Sequence, residues 1–253
     1  MKPKKAAGDG LWDRPPLLNL LADVLYVAAA AGLLYAAAVG AQRLPFFPLR
    51  QVVVQGELHQ VTRMQVEYAV RGAVNGNFFT VNLDAVRASF EKLPWVRRAD
   101  VRRIWPDRLE LTIEEQQAVA RWRQADGGYR LVNSQGEVFV AATEAALPTF
   151  AGPEGSAGDM LARHREFSAS LESLGRHPVE LQLSPRQAWQ VKLDDGLVLN
   201  LGREENQKTV SERMARFVTA YHQIRDGFHL KPSQIDMRYP NGFALRATAG
   251  EPS

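Results

Sequence analysis

The sequence predicts an α+β protein: a single N-terminal transmembrane helix followed by two small domains outside the membrane. Three observations carry this. Leu17 to Ala41 is an apolar run, and Val24 to Ala41 within it has no charged or amide side chain. Residues 49–117 read as a strand, two capped helices and a strand pair, β-α-α-β-β. Residues 118–248 read as short strands with two helices packed on a mainly antiparallel sheet.

The eighteen residues Val24 to Ala41 span ~27 Å as a helix, and the Leu17 to Leu21 flank extends this toward a ~30 Å bilayer core. No polar face appears at helical spacing, as a surface helix would require. Lys2, Lys4, Lys5 and Arg14 precede the run, whereas Arg43 and Arg50 follow it. That excess places a tail of residues 1–20 in the cytoplasm, the span over 21–41, and the bulk outside the inner membrane, a single-pass type II arrangement. Val39-Gly40-Ala41 resembles a signal cleavage site, but the run exceeds the ~7–15 residues of a signal core. An uncleaved anchor is expected.

With 253 residues, 23% of them charged, and a net charge of +3, the composition is that of globular domains on one span. The arginines are scattered and no aromatic-interleaved basic tract suggests nucleic acid. The chain has no cysteine, which excludes disulfides, thiolate chemistry and cysteine-based metal sites.

In the first domain, Val52-Val53-Val54 before Gly56 is a short strand. Thr62 with Gln65 makes a capping box, and Met64, Tyr68 and Val70 lie along the helix it opens. Gly72 to Gly76 ends that helix. Asn82 caps a second, where Leu83, Val86, Phe90 and Leu93 recur at helical spacing until Pro94. Trp95 to Ile104 and Arg108 to Glu114 are strands joined by a Trp105-Pro106-Asp107 turn.

The second domain offers strands at Ala118–Trp122, Tyr129–Val132, Glu137–Val140 and Leu147–Phe150. Ser156 and Asp159 form a second capping-box pattern, for a helix ending near Gly175. Val179–Leu183, Ala188–Leu193 and Leu197–Leu201 follow as strands, with a hairpin turn at Asp195-Gly196. A helix from about Glu205 to Asp226 shows Val210, Met214, Phe217, Val218, Tyr221 and Ile224 on one face. A final strand, Gln234 to Ala247, is interrupted at Pro240-Asn241-Gly242.

Nothing in the chain points to catalysis. His59, His164, His177, His222 and His229 are not spaced as metal ligands, and no G-x-S-x-G or H-E-x-x-H occurs. Asp194-Asp195 sits before a turn glycine, where aspartate is expected anyway. The Gly152 to Gly158 loop lacks the Lys-Ser/Thr of a phosphate loop. Arg97, Arg98, Arg102, Arg103 and Arg108 around Trp105 form either a basic rim for lipid or an acidic partner, or the solvated side of a hairpin. No cofactor, metal or small-molecule substrate is called for. The last strand is the more informative feature. A terminal strand after a helix often lies at a sheet edge, open to another chain's strand, unless Pro240 protects it.

Leu93-Pro94-Trp95-Val96, Trp105-Pro106-Asp107-Arg108-Leu109 and Ala120-Arg121-Trp122 resemble, in order, the FtsQ/DivIB family of bacterial cell division proteins. So do Gly152-Pro153-Glu154-Gly155-Ser156, Trp189-Gln190, Leu199-Asn200-Leu201-Gly202-Arg203 and Asp236-Met237-Arg238-Tyr239. The resemblance implies a POTRA domain over 49–117 and a periplasmic β domain over 118–248. It implies a non-enzymatic divisome scaffold at the septum, linking early and late division proteins and binding the FtsB–FtsL pair. The last strand would pair with a strand of FtsB through Arg238, Tyr239, Asn241 and Gly242, with Arg186 on a neighbouring strand; the POTRA domain would meet other divisome proteins. Ala247 stands where some relatives have a tryptophan, so Phe243 would provide the aromatic contact. The alternative is a POTRA-bearing accessory of protein export or outer-membrane assembly.

Overall fold

The computed structural model describes residues 15–43, 47–206, 209–227, 232–240 and 242–247. The apolar run is one helix, α1 (Pro15–Arg43). It starts two residues earlier than the run because proline suits a first helical turn, where no backbone donor is needed. Its most apolar part is not buried at all, so it is not the core helix of a soluble domain, and it is long enough to cross a bilayer.

The chain divides into two compact units, residues 1–114 and 115–253. The first contains β1 (Gln51–Gln55), α2 (Arg63–Ala73), α3 (Leu83–Glu91), β2 (Val96–Ile104) and β3 (Arg108–Glu115). Both helix starts are those the sequence predicts. Thr62 Oγ1 accepts from the Gln65 amide while Gln65 Oε1 accepts from the Thr62 amide, and Asn82 accepts from the Ala85 amide. The sheet order is β1-β3-β2, with β1 parallel to β3 so that Val52 meets Leu109 and Val54 meets Leu111. Val66 and Ala69 of α2, Val86 and Phe90 of α3, and Leu109, Leu111 and Ile113 of β3 close the core. Met64 and Tyr68 fall on the opposite side of α2 and remain 78% and 80% exposed. Gly56 ends β1 at a φ of +128°, where a Cβ would lie 2.6 Å from the Ile113 carbonyl oxygen.

The arginines around Trp105 are largely engaged within this unit. Arg97 pairs with Glu114, Arg102 with Glu110, and Arg103 donates to the Phe78 and Val81 carbonyls at 2.7 Å each. This favours the hairpin-surface reading over a basic rim.

The second unit runs β4 (Ala118–Arg123), β5 (Tyr129–Asn133), β6 (Val138–Phe139), β7 (Thr149–Ala151) and α4 (Ala157–Leu171). It continues with β8 (Pro178–Leu183), β9 (Ala188–Leu193), β10 (Val198–Arg203), α5 (Thr209–Gly227), β11 (Pro232–Asp236) and β12 (Ala244–Ala247). Its strands form one mixed sheet, β12-β11-β10-β9-β8-β7-β4-β5-β6. Three neighbour pairs are parallel, β4–β7, β7–β8 and β10–β11; the others are antiparallel. Two of them, β7–β8 and β10–β11, are bridged by α4 and α5, as parallel strands require a crossover. Both helices contribute to one core, through Met160, Phe167 and Leu171 of α4 and Val210, Met214, Phe217 and Tyr221 of α5.

Three expectations are corrected. Ser156 does not cap α4; its hydroxyl donates to the Pro153 carbonyl at 2.7 Å, so the capping box with Asp159 is not formed. α5 begins at Thr209 rather than Glu205. The single last strand is two strands, β11 and β12, paired antiparallel, because Pro240 lacks a ladder donor and the chain reverses around it.

His164 of α4 lies against the Phe150 ring, with Nε2 3.1 Å from the Pro178 carbonyl oxygen. Burial holds its pKa below the ordinary 6.5, aided by the Arg165 charge and opposed by the Pro178 carbonyl. The folded ring therefore binds fewer protons than the unfolded one, so this contribution is present above pH 6.5 and lost as pH falls below it. Thermal unfolding at pH 7.5 and 5.5 checks this: the parent should melt lower at pH 5.5, and His164→Gln should show a smaller difference.

Candidate partner-docking edge

The site is built on the far end of the nine-stranded sheet. β11 lies parallel to β10, with Leu199 opposite Ile235 and Asn200 opposite Asp236, and the Met237 amide continues the ladder to the Asn200 carbonyl at 2.9 Å. Ile235 and Met237 point into the core, which turns Asp236 and Arg238 to the opposite face. β12 then pairs outside β11, Leu245 opposite Ile235, and is the terminal strand of the sheet.

The expected contact residues lie mostly before this strand rather than on it. Arg238 and Tyr239 follow β11, Gly242 and Phe243 precede β12, and Asn241 lies outside the described residues. Tyr239 is 56% exposed. Gly242 has open space where a Cβ would stand. Phe243, expected as the exposed aromatic contact, is half-buried against the core of its own unit. Its packing leaves Tyr239 as the exposed aromatic of the segment.

Arg238 is not a free cation. Its guanidinium grips Asp236 with Nε 2.9 Å from Oδ1 and Nη2 2.5 Å from Oδ2, while its amide donates to Oδ1 at 3.1 Å. These bonds from Arg238 hold the Asp236 carboxyl below its usual 3.8 and push the guanidinium further up. Arg186 stands in the β8–β9 turn, not on a strand. The fold nevertheless brings it to Arg238: both line one cavity of ≈ 700 Å³ with Arg203, Glu204 and Arg213. Gly202, at a φ of +76°, lets the Arg238 stem pass, since a Cβ there would be 2.9 Å from Arg238 Cγ. Buried Arg213 beneath it donates to the Leu201 and Arg203 carbonyls and pairs with Glu205 at 3.0 Å.

Arg216 of α5 was not readable as part of the site. It donates to the Met237 carbonyl at 3.3 Å, the Tyr239 carbonyl at 3.2 Å and the Pro240 carbonyl, fixing the segment that carries Tyr239. An arginine on the polar side of an amphipathic helix gives no such signal. Asp236 was more legible, being two residues from Arg238 and so on the same strand face.

The other candidates are structural. Arg176 holds Asp194 and Asp195 at 3.7 and 3.3 Å, which accounts for that carboxylate pair. Among the described residues no three His, Asp or Glu side chains come together to hold a metal ion.

An apolar N-terminal helix, a β-α-α-β-β unit and a mixed sheet ending in the β11–β12 hairpin define a POTRA-bearing chain with a β-rich C-terminal domain. Residues 47–116 match the family described as POTRA domain, FtsQ-type, and residues 120–238 match Cell division protein FtsQ/DivIB, C-terminal. The chain is 42% identical over 243 residues to Cell division protein FtsQ of Burkholderia pseudomallei, covering 94% of each. It is 40% identical to that of Nitrosospira multiformis, over 94% of this chain and 100% of the relative. For Neisseria gonorrhoeae the identity is 30%, over 93% and 95%. The chain belongs to the FtsQ/DivIB family of cell division proteins. Its role is in the division machinery.

Removing Arg216 should loosen the Tyr239 segment without unfolding the sheet. Arg216→Ala is expected to cost about 1–2 kcal/mol, since its bonds are charge-assisted but partly exposed. Limited trypsin digestion should cut after Arg238 several-fold faster in the variant than in the parent, and equal rates would contradict the clamp.

Proposed function

We propose that this chain is a non-enzymatic, bitopic scaffold of the divisome. In this reading α1 anchors it in the inner membrane with the N-terminus in the cytoplasm. Both units lie in the periplasm at the septum, as a POTRA domain over 49–117 and a β domain over 118–248. The β domain binds the FtsB–FtsL complex by taking a strand of FtsB onto β12. The observation that carries this is the position of β12 as terminal strand, with Tyr239 exposed beside it. An added strand would gain affinity from main-chain hydrogen bonds and specificity from alternate side chains.

Roles for the site residues follow from their surroundings. Tyr239 supplies a large, rigid contact area with a polar tip, held by Arg216. Gly242 leaves room for the incoming backbone. Arg238, already neutralised by Asp236, and exposed Arg186 present donors to partner carboxylates around their shared cavity. Phe243 supports β12 from below rather than meeting the partner.

Titration of the purified protein with the periplasmic segments of FtsB–FtsL tests this. Tyr239→Ala should weaken binding by ~2 kcal/mol or more, about thirtyfold. Arg238→Ala should act more weakly and in a salt-dependent way, as exposed charge pairs do. A Tyr239→Ala protein that folds normally and binds like the parent places the docking surface elsewhere.

A further inference from the structure

Among the described residues the two sheets have four edge strands, and their sequences treat an approaching strand differently. β2 carries Arg97, Arg98, Arg102 and Arg103, and charge is a common guard against unwanted pairing. β6 is only two residues long. β12 is the proposed docking strand. β1 lacks three of the usual protections: it has no charge, no proline and no register shift against β3.

The sequence of β1 is Gln51-Val52-Val53-Val54-Gln55, which reads the same in both directions. Antiparallel pairing with itself about Val53 therefore opposes valine to valine throughout and Gln51 to Gln55 at each end. A strand of another protein would have to match this pattern, whereas a second copy does so automatically, as a twofold interface requires. Val53 is 40% exposed, at the centre of the strand. Beside β1 an apolar groove of ≈ 640 Å³ runs toward α2, lined by Val52, Val54, Leu58, Val61, Val66 and Val70. At its rim Glu67 lies 3.1 Å from Arg63 and 3.7 Å from Arg71, so two copies brought together present both signs of charge to each other.

We propose that β1 is a self-pairing edge: a second copy of this chain adds antiparallel to β1 about a twofold axis through Val53, joining two three-stranded sheets into one. Five paired residues bury only a few hundred Å², below the ~1,200 Å² of stable soluble interfaces. The pair therefore forms where both copies are confined to one bilayer, which raises their effective concentration. That last point rests on the anchored reading given above.

The absence of cysteine allows a clean test, because each introduced thiol is unique. The full chain is reconstituted in phosphatidylethanolamine–phosphatidylglycerol vesicles as Val53→Cys, Gln51→Cys or Gln55→Cys and oxidised with copper–phenanthroline. Opposed Cα atoms in an antiparallel pair are ~4.5–5.5 Å apart, within disulfide reach, so Val53→Cys should form a covalent dimer. Gln51→Cys and Gln55→Cys each stand ~14 Å from their own image and should give at least tenfold less dimer alone. Mixed one to one, these two should cross-link with each other. Adding Val53→Lys to both should abolish that cross-link, since like charges then face each other on the axis. No dimer from a folded Val53→Cys protein, or equal dimer at all three positions, overturns the proposal. Vesicle flotation reports anchoring separately. A chain that fails to float contradicts the anchor, and the same cross-linking order is then expected, at higher protein concentration, in solution.

Discussion

The docking edge depends on one pairing: β11 lies parallel, not antiparallel, to β10. A parallel neighbour cannot be reached through a tight turn, so the chain must leave the sheet and return by a crossover. α5 is that crossover, and its Val210, Met214, Phe217 and Tyr221 stripe holds it to the sheet's inner face. Because the crossover delivers β11 beyond β10, the next strand has only the outside left to occupy. β12 is consequently terminal, and its outer side faces no other strand among the described residues. The same helix places Arg216 over the Met237 to Pro240 carbonyls, so the element that creates the edge also fixes the loop beside it.

Edges are hazardous because their unpaired backbone groups accept any extended chain. Among the described residues the four edges differ, with a cluster of arginines on β2, only two residues in β6, and neither such a cluster nor such brevity at β12 and β1. These last two edges differ in chemistry. Around β12 lie polar and charged groups, Asn200, Gln234, Asp236, Arg238 and Arg246, which suit discrimination between partners. β1 is uncharged and palindromic, which suits an identical chain. The two proposed attachments use edges of different units, β12 in the second and β1 in the first.

Much of this fold was legible because its elements are set by local chemistry. The Thr62–Gln65 and Asn82 caps, Gly56, the Asp195-Gly196 turn and the alternation of Leu109, Leu111 and Ile113 all act within a few residues, and each stands where the sequence places it. What was not legible is set by distant neighbours. Alternation identifies a strand but not its partner, so the parallel placement of β11 was hidden and the last hairpin read as one interrupted strand. Ser156 had the residue type of a cap, but its hydroxyl turns to the Pro153 carbonyl instead. Phe243 has the residue type of an aromatic contact, yet its ring packs half-buried against the core of its own unit. Arg238 appeared available until Asp236, on the same strand face, was seen to hold it.

The central claim is that β12 receives a partner strand along its open side. Hydrogen–deuterium exchange of the purified protein, with and without the FtsB–FtsL periplasmic segments, tests it most directly. Strand addition should slow exchange of backbone amides within Ala244–Ala247, with the already paired β9 and β10 changing little. A complex that forms while these β12 amides exchange as fast as in the free protein would contradict it.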